Sequence, residues 1–276
     1  MTMPIIALIG GGHMGSSLIG GLIKDGHPSE KLWVSEPSAE KRQQLQELFH
    51  IHVTDDNAKA VQAADVVIFA VKPQIFAQVA LSLKEAIQAR KPLVISIAAG
   101  IREDSIQEWL GGRHPIVRAM PNTPALIGCG ATAMFANAFV TDKDRNLAES
   151  MLRAVGSVTW LTEESQMDTV TALSGSGPAY FFLFMEGLQQ AAQELGLPDE
   201  TARLLTLQTA LGAAKMALES GCAVADLRHQ VTSPGGTTEK GLGVLESHQL
   251  KSILKMTLQA AKLRSEELAT LLGEKH

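Results

Sequence analysis

The sequence predicts an α/β fold, a doubly wound parallel sheet followed by an all-α C-terminal domain, on three observations. Short apolar runs alternate with helical segments from residue 5 to about 162, the pattern of a sheet built from right-handed crossovers. The first run ends in a G-x-G-x-x-G turn, Gly10 to Gly15, and passes directly into a small-residue helical pattern. Beyond Glu163 strand-like alternation disappears and long helical patterns take over. The expected division is residues 1–162 and 163–276, within what 276 residues allow for two domains.

Taken in order, the apolar runs predict strands over 5–9, 32–35, 52–54, 66–71, 93–97, 116–119, 132–135 and 158–161. Helical segments between them fall near 15–25, 39–49, 58–63, 74–89, 103–110 and 143–155. In the C-terminal part, helices are predicted over 178–195, 198–220, 238–247 and 250–272. Pro178 and Pro198 sit at first-turn positions, and Gly196, Gly221 and Gly273 lie just past helix ends.

The glycine turn reads as a dinucleotide-binding loop of the Rossmann type. Gly10 permits the turn off the strand, Gly12 has no side chain to hold a pyrophosphate away, and Gly15 lets the helix lie close to the strand. The helix N-terminus adds N–H groups and a partial positive charge. Glu36 follows 21 residues after Gly15, at the end of the next strand, suited to a ribose 2′-OH. Ser35, Ser38, Lys41 and Arg42 nearby offer hydroxyls and positive charge to a 2′-phosphate. Ligands of such sheets lie beyond the carboxyl ends of the strands. The stretches to watch are therefore Ala70-Val71-Lys72-Pro73-Gln74, Ala98-Ala99-Gly100 and Met120-Pro121-Asn122-Thr123-Pro124. Small residues at 98–100 would let a nicotinamide ring approach the backbone.

Composition narrows the function classes. A net charge of −5 leaves no basic footprint for nucleic acid. No apolar run has the length of a membrane span, and the first residues run straight into the first strand, so neither membrane segment nor signal peptide is expected. Two cysteines make no disulfide framework, which fits a cytoplasmic location. The eight histidines show no metal-ligand spacing, and no metal is expected.

Two features of the C-terminal part bear on partners and substrate. Tyr180-Phe181-Phe182-Leu183-Phe184-Met185 is apolar on all sides of a helix, and with Gly212-Ala213-Ala214 it predicts a dimer built through this domain. From Ala154 through Ala202 there is no Lys, Arg or His. An anionic substrate beside this part would need other donors, and Val231-Thr232-Ser233-Pro234-Gly235-Gly236-Thr237-Thr238-Glu239 supplies backbone N–H groups, hydroxyls and a helix N-terminus. A similar loop, residues 173–180, is expected to cap the first long helix.

Six stretches together, I-G-G-G-H-M-G (9–15), A-V-K-P-Q (70–74), S-I-A-A-G (96–100), R-A-M-P-N-T-P (118–124), L-S-G-S-G-P-A-Y (173–180) and S-P-G-G-T-T (233–238), resemble the pyrroline-5-carboxylate reductase family over essentially the whole chain. The resemblance implies reduction of 1-pyrroline-5-carboxylate to L-proline with NADPH or NADH, NADPH being the usual bacterial choice. It also implies a homodimer interlocked through the helical domain, often arranged as a decamer of five dimers. It places Gly10, Gly12, His13 and Met14 at the pyrophosphate, Asn57 at the adenosine ribose, and Ala70, Val71, Lys72, Pro73, Ala98 and Ala99 at the ribose and nicotinamide; Ile9 and Gly11 of the same loop, and Ser35 and Glu36 at the end of the second strand, complete the expected cofactor site. Ser233, Gly236, Thr237 and Thr238 would hold the substrate, in family members from the partner subunit, with the Thr238 hydroxyl near the ring nitrogen. The chain departs from many members just before the last loop, where Ser220-Gly221-Cys222-Ala223-Val224 replaces an acidic residue and an H-P pair.

Two other readings meet specific obstacles. β-Hydroxyacid dehydrogenases also join such a sheet to a helical domain, but they use a lysine on an early helix of the second domain, and residues 144–214 hold no lysine. A redox-sensing dimer that binds the dinucleotide without turnover would not need the second glycine-rich loop.

Overall fold

The computed structural model describes residues 3–273. By internal contacts the chain forms two compact units, Met1–Ser176 together with Ala260–His276, and Gly177–Gln259.

The first unit is built on an eight-stranded sheet. Its elements run β1 (Ile6–Ile9), α1 (His13–Lys24), β2 (Leu32–Ser35), α2 (Ala39–Phe49), β3 (His52–Thr54), α3 (Asn57–Ala63), β4 (Val66–Phe69), α4 (Pro73–Arg90), β5 (Leu93–Ser96), α5 (Glu103–Trp109), β6 (Ile116–Met120), β7 (Gly130–Ala136), α6 (Asp142–Arg153), β8 (Gly156–Trp160) and α7 (Gln166–Val170). The strand order is β3-β2-β1-β4-β5-β6-β7-β8, so the chain reverses its winding direction between β1 and β4. That reversal opens a crevice at the carboxyl ends of these two strands.

Each predicted strand has a counterpart, because strands covered on both faces must be apolar throughout. On β1, Ile6 and Leu8 pack into the core on one face of the sheet while Ala7 and Ile9 join the other, and all four are buried. Phe69, Phe76 and Trp109 form an aromatic chain in the second core, with centroids 5.0 and 5.9 Å apart.

The expectation of a purely parallel sheet is corrected at one strand. β7 runs antiparallel to β6, pairing Val117 with Ala136 and Met120 with Ala133. Only residues 121–129 link the two, too few for the crossover that parallel pairing needs. Much of that link is a 3₁₀ turn, Thr123–Ile127, where the sequence shows only a proline turn. After α6 supplies a crossover, β8 returns parallel to β7.

Helical character begins at about residue 163, yet residues 163–176 and the end of the last helix, α12 (Leu250–Gly273), belong to the compact unit of the sheet. Met167, Ala172 and Leu272 are buried there, and the Ser265 hydroxyl donates to Asp168 Oδ1 at 2.7 Å.

Burial of His27 and His114 pushes both imidazoles below the ordinary value of 6.5. His114 Nε2 is buried and has no hydrogen-bond partner among the described residues. A base whose folded pKa is depressed contributes stability above its unfolded pKa, and that contribution is lost as pH falls through 6.5, where the unfolded chain binds more protons. The melting temperature should drop on acidification through that region, and His114→Phe should flatten the drop.

The second unit contains α8 (Gly177–Glu194), α9 (Asp199–Glu219), α10 (Val224–Gln230), α11 (Thr237–Ser247) and the start of α12. The seven-residue helix α10 adds to the helices expected from the sequence pattern, and none of its residues is buried. Phe181, Phe182 and Leu183 are 68, 64 and 69% exposed, although they are apolar. Gly187, Gly212, Gly241 and Gly243 sit within helices, and an added Cβ would meet nothing within 4 Å at any of them. Helical glycine lowers helix stability by roughly 1 kcal/mol relative to alanine.

Candidate active site

The residues predicted for the dinucleotide converge at the carboxyl edge of the sheet. Gly10 leaves β1 with φ of +106°, which favours glycine, and a Cβ there would lie 2.7 Å from the Ala70 carbonyl oxygen. Gly10 N–H donates to Ser35 O at 2.8 Å, and Ala70 N–H donates to Ile9 O at 2.9 Å, so the ends of β1, β2 and β4 are tied together. Gly15 brings α1 against the turn: a Cβ there would sit 2.7 Å from Gly10 O.

Gly12 differs from its neighbours. It is the N-cap of α1, and a Cβ there would face open space. A phosphate group therefore has room to reach this backbone, and the first-turn N–H groups at His13 and Met14 have no intrahelical carbonyl to bond. A dinucleotide fits the loop on these grounds.

Ile9 and Ser35 are each 1% exposed and can offer a ligand only backbone. Glu36 is also buried, at 7% exposure, and its carboxylate is already engaged by the chain. Oε2 accepts from Gly11 N–H at 3.0 Å, and Oε1 accepts from Ser38 N–H at 3.2 Å. Gly11 is correspondingly tight, since an added Cβ would come within 2.6 Å of Leu45 Cδ1. Arg42 donates to the carbonyls of Glu36 and Pro37 at 2.7 and 2.8 Å and pairs with Asp55 at 3.3 Å, which leaves Lys41 as an exposed cation on the first turn of α2. Asn57 opens α3 beside its cap Asp56, whose Oδ1 accepts from Ala58 and Lys59.

At β4, Ala70 and Val71 lead to Lys72, the exposed N-cap of α4, with Pro73 as the first helical residue. Past β5, Ala98 and Ala99 precede Gly100, whose φ is +69°. The α-carbon side of Gly100 lies 3.5 Å from Leu268 Cβ if a Cβ is built, so the end of α12 backs this loop closely.

The expected loop at 173–180 is corrected. Residues Thr171–Gly175 form a π-helical turn between α7 and α8, with Ser176 N–H donating to Thr171 O at 2.8 Å. The hydroxyls of Thr171 and Ser174 bond back to the carbonyls of Met167 and Val170, a back-bonding that often accompanies a bend in a helix.

In the second unit, Ser233, Gly236, Thr237 and Thr238 share one turn and the start of α11. Gly235 has φ of +72° and donates its N–H to Glu239 Oε2 at 2.8 Å, and Gly236 N–H donates to Ser233 O at 3.1 Å. A Cβ on Gly236 would meet Ser233 Oγ at 2.6 Å. Ser233, Thr237 and Thr238 are exposed, with α11 presenting its first-turn N–H groups alongside their hydroxyls. No group of three or more His, Cys, Asp or Glu suited to a metal occurs among the described residues.

Comparison with known proteins agrees with both halves of this arrangement. Residues 164–268 match the family model for pyrroline-5-carboxylate reductase dimerisation, and residues 5–100 match that for NADP oxidoreductase, coenzyme F420-dependent. The chain is 48% identical to pyrroline-5-carboxylate reductase of Pseudomonas aeruginosa over 274 residues, covering 99% of this chain and 100% of that protein. Among solved structures, the pyrroline-5-carboxylate reductase of Coxiella burnetii superposes with a TM-score of 0.94 at 48% identity, over 97% of this chain and 99% of the other. The Plasmodium falciparum pyrroline carboxylate reductase, solved with NADP bound, gives a TM-score of 0.86 at 31% identity, over 98 and 99%. With 99% of its length matched at 48% identity and the dimerisation model matched over residues 164–268, the chain belongs to the pyrroline-5-carboxylate reductase family.

Proposed function

We propose that this protein reduces the C=N bond of 1-pyrroline-5-carboxylate to give L-proline, the last step of proline biosynthesis, using NADPH or NADH. The observation that carries the reading is the pairing of an open, glycine-lined dinucleotide loop at Gly12 with a second, hydroxyl-rich loop at Ser233 to Thr238, in a chain matched end to end by this family. When bound, the reduced nicotinamide supplies the hydride that adds to the imine carbon. The chain's own residues bind, orient and polarise. Backbone N–H groups of Thr237 and Thr238 at the start of α11 hold the substrate carboxylate without a buried cation, and Gly236, whose own N–H is bonded to Ser233 O, lets the Ser233 hydroxyl lie beside them. The Ser233 hydroxyl adds a further donor. Thr238 Oγ1 accepts the N–H of the protonated ring nitrogen, which favours the electrophilic iminium over the neutral imine. Gly10, Gly11, Gly12, His13 and Met14 seat the pyrophosphate, and Asn57, Ala70, Val71, Lys72, Pro73, Ala98 and Ala99 line the riboses and the nicotinamide. By role, the dinucleotide half is residues 1–162 and the substrate and dimerisation half 163–276.

Self-association follows from the apolar side chains that the second unit leaves exposed and from helix glycines with no neighbour in the same chain; both suit close packing against a second copy. The assembly proposed is a homodimer, extended to a decamer of five dimers, in the cytoplasm. No helix among the described residues is long and apolar enough to cross a membrane.

The test is loss of reduced-nicotinamide absorbance on adding pyrroline-5-carboxylate to purified protein, with NADPH and NADH side by side. Imine-dependent loss is expected with both. Binding of both cofactors without consumption would instead favour a dinucleotide sensor. Glu36 governs the ratio: its buried carboxylate beside Gly11 repels a 2′-phosphate, so Glu36→Ser should raise the NADPH-to-NADH ratio of kcat/KM by about tenfold. A shift toward NADH would show that this carboxylate acts only as a brace for the glycine loop.

A further inference from the structure

Two stretches of the sequence, M-P-N-T-P and L-S-G-S-G-P, have no role in the chemistry described so far, and one side chain joins them. Asn122, 9% exposed, lies two residues beyond β6. Its Nδ2 donates to the Ser174 carbonyl at 3.0 Å, inside the π-turn, and its Oδ1 accepts from Ala131 N–H of β7 at 2.9 Å. Both ends of the amide are therefore used, each on backbone. The Ser174 carbonyl has a specific need for this donor. Its α-helical partner would be the N–H of the residue four positions on, and that residue is Pro178, which has none. The π-turn is also seated directly on β6, since a Cβ on Gly175 would come within 2.7 Å of Met120 Cε.

The position matters because β6 is the neighbour of β5 in the sheet, with Ser96 opposite Arg118. Residues 120–122 and Ala98–Ala99 therefore leave two neighbouring parallel strands at the same carboxyl edge, where ligands of such sheets bind. π-Turns within helices occur frequently at functional sites.

We infer that Asn122 is a positioning residue: by supplying the donor that Pro178 cannot, it locks the π-turn Thr171–Gly175 onto the end of β6 and so fixes the shape of the nicotinamide end of the dinucleotide site. The inference rests on the reductase reading for its kinetic consequence, but not for its structural one.

The test uses the full-length protein with Asn122→Ala and Asn122→Asp. Aspartate keeps the acceptor for Ala131 and loses the donor to Ser174. Amide hydrogen exchange across residues 171–176 is expected to rise about tenfold in both variants at neutral pH, with kcat falling by a similar factor and the NADPH dissociation constant nearly unchanged. On acidification, Asn122→Asp should regain slow exchange and turnover relative to the parent, because a protonated carboxyl can again donate to Ser174, whereas Asn122→Ala should not. If Asn122→Ala does not fold, Asn122→Asp alone decides. Parent-like exchange in the π-turn, or fast exchange with parent-like kcat, would overturn the inference. Should the parent consume no NAD(P)H at all, the reductase reading fails, while the exchange comparison still decides whether Asn122 holds the turn.

Discussion

A Thr238→Val variant should lose turnover of pyrroline-5-carboxylate by roughly 10²-fold or more while binding NADPH as the parent does, because the proposed mechanism uses this hydroxyl at the reacting nitrogen and the change takes nothing from the dinucleotide loop. Valine matches threonine in shape. Thr238 is exposed on the second residue of α11, so neither packing nor helix formation depends on the hydroxyl. The backbone N–H at 238 also survives, so the carboxylate remains held and KM for the imine should move less than kcat. Thr238→Ser, which restores the hydroxyl, should recover most of the activity. Steady-state kinetics decide: parent-like kcat in Thr238→Val would remove Thr238 from the mechanism and leave the loop as a carboxylate cradle only.

Gly12→Val should have the opposite signature, weakening dinucleotide binding without harming the fold. The backbone at Gly12, φ −72° and ψ −177°, suits any L residue, and a Cβ there meets nothing. Its side chain would nevertheless project into the space that a pyrophosphate needs beside the α1 N-terminus. We expect NADPH affinity to fall on the order of 100-fold, equivalent to about 2.7 kcal/mol, at an unchanged melting temperature. Gly10→Ala provides the contrast. With φ at +106° and the Ala70 carbonyl 2.7 Å from the new Cβ, it should destabilise the protein itself by about 1–3 kcal/mol. Cofactor titration and thermal melts on the two variants separate a ligand surface from a structural turn within one motif. Retained affinity in Gly12→Val would mean that the pyrophosphate lies elsewhere.

Much of this was legible in the residues. The runs at β1, β4 and β5 are apolar without alternation because both sheet faces are covered, and that pattern is visible in any short window. The glycine loops could be read because each demands an unusual backbone or a close approach: Gly10 and Gly235 have positive φ, and Gly15 lies against Gly10 O. The helix α10 carries no periodic signal, because its seven residues complete barely two turns and bury no apolar face. The stretch 173–180 looked like a loop because Ser-Gly-Ser-Gly-Pro is loop chemistry locally. In the fold it packs against Met120 and is bonded by Asn122, some fifty residues earlier in the chain.

The sequence by itself determined the sheet-then-helices order, the strand cores and the positions of the two glycine-rich turns, since each is written in periodicity or in the special geometry of glycine, proline and threonine within a few residues. Only the tertiary structure decided that β7 turns back antiparallel, that the end of α12 returns to back the loop at Gly100, that Glu36 spends its carboxylate on Gly11 and Ser38, and that Asn122 bridges β6, β7 and the π-turn. These are contacts between residues far apart in sequence. Their partners are chosen by which buried donors and acceptors remain unpaired once the local elements have formed, and no local pattern records that choice.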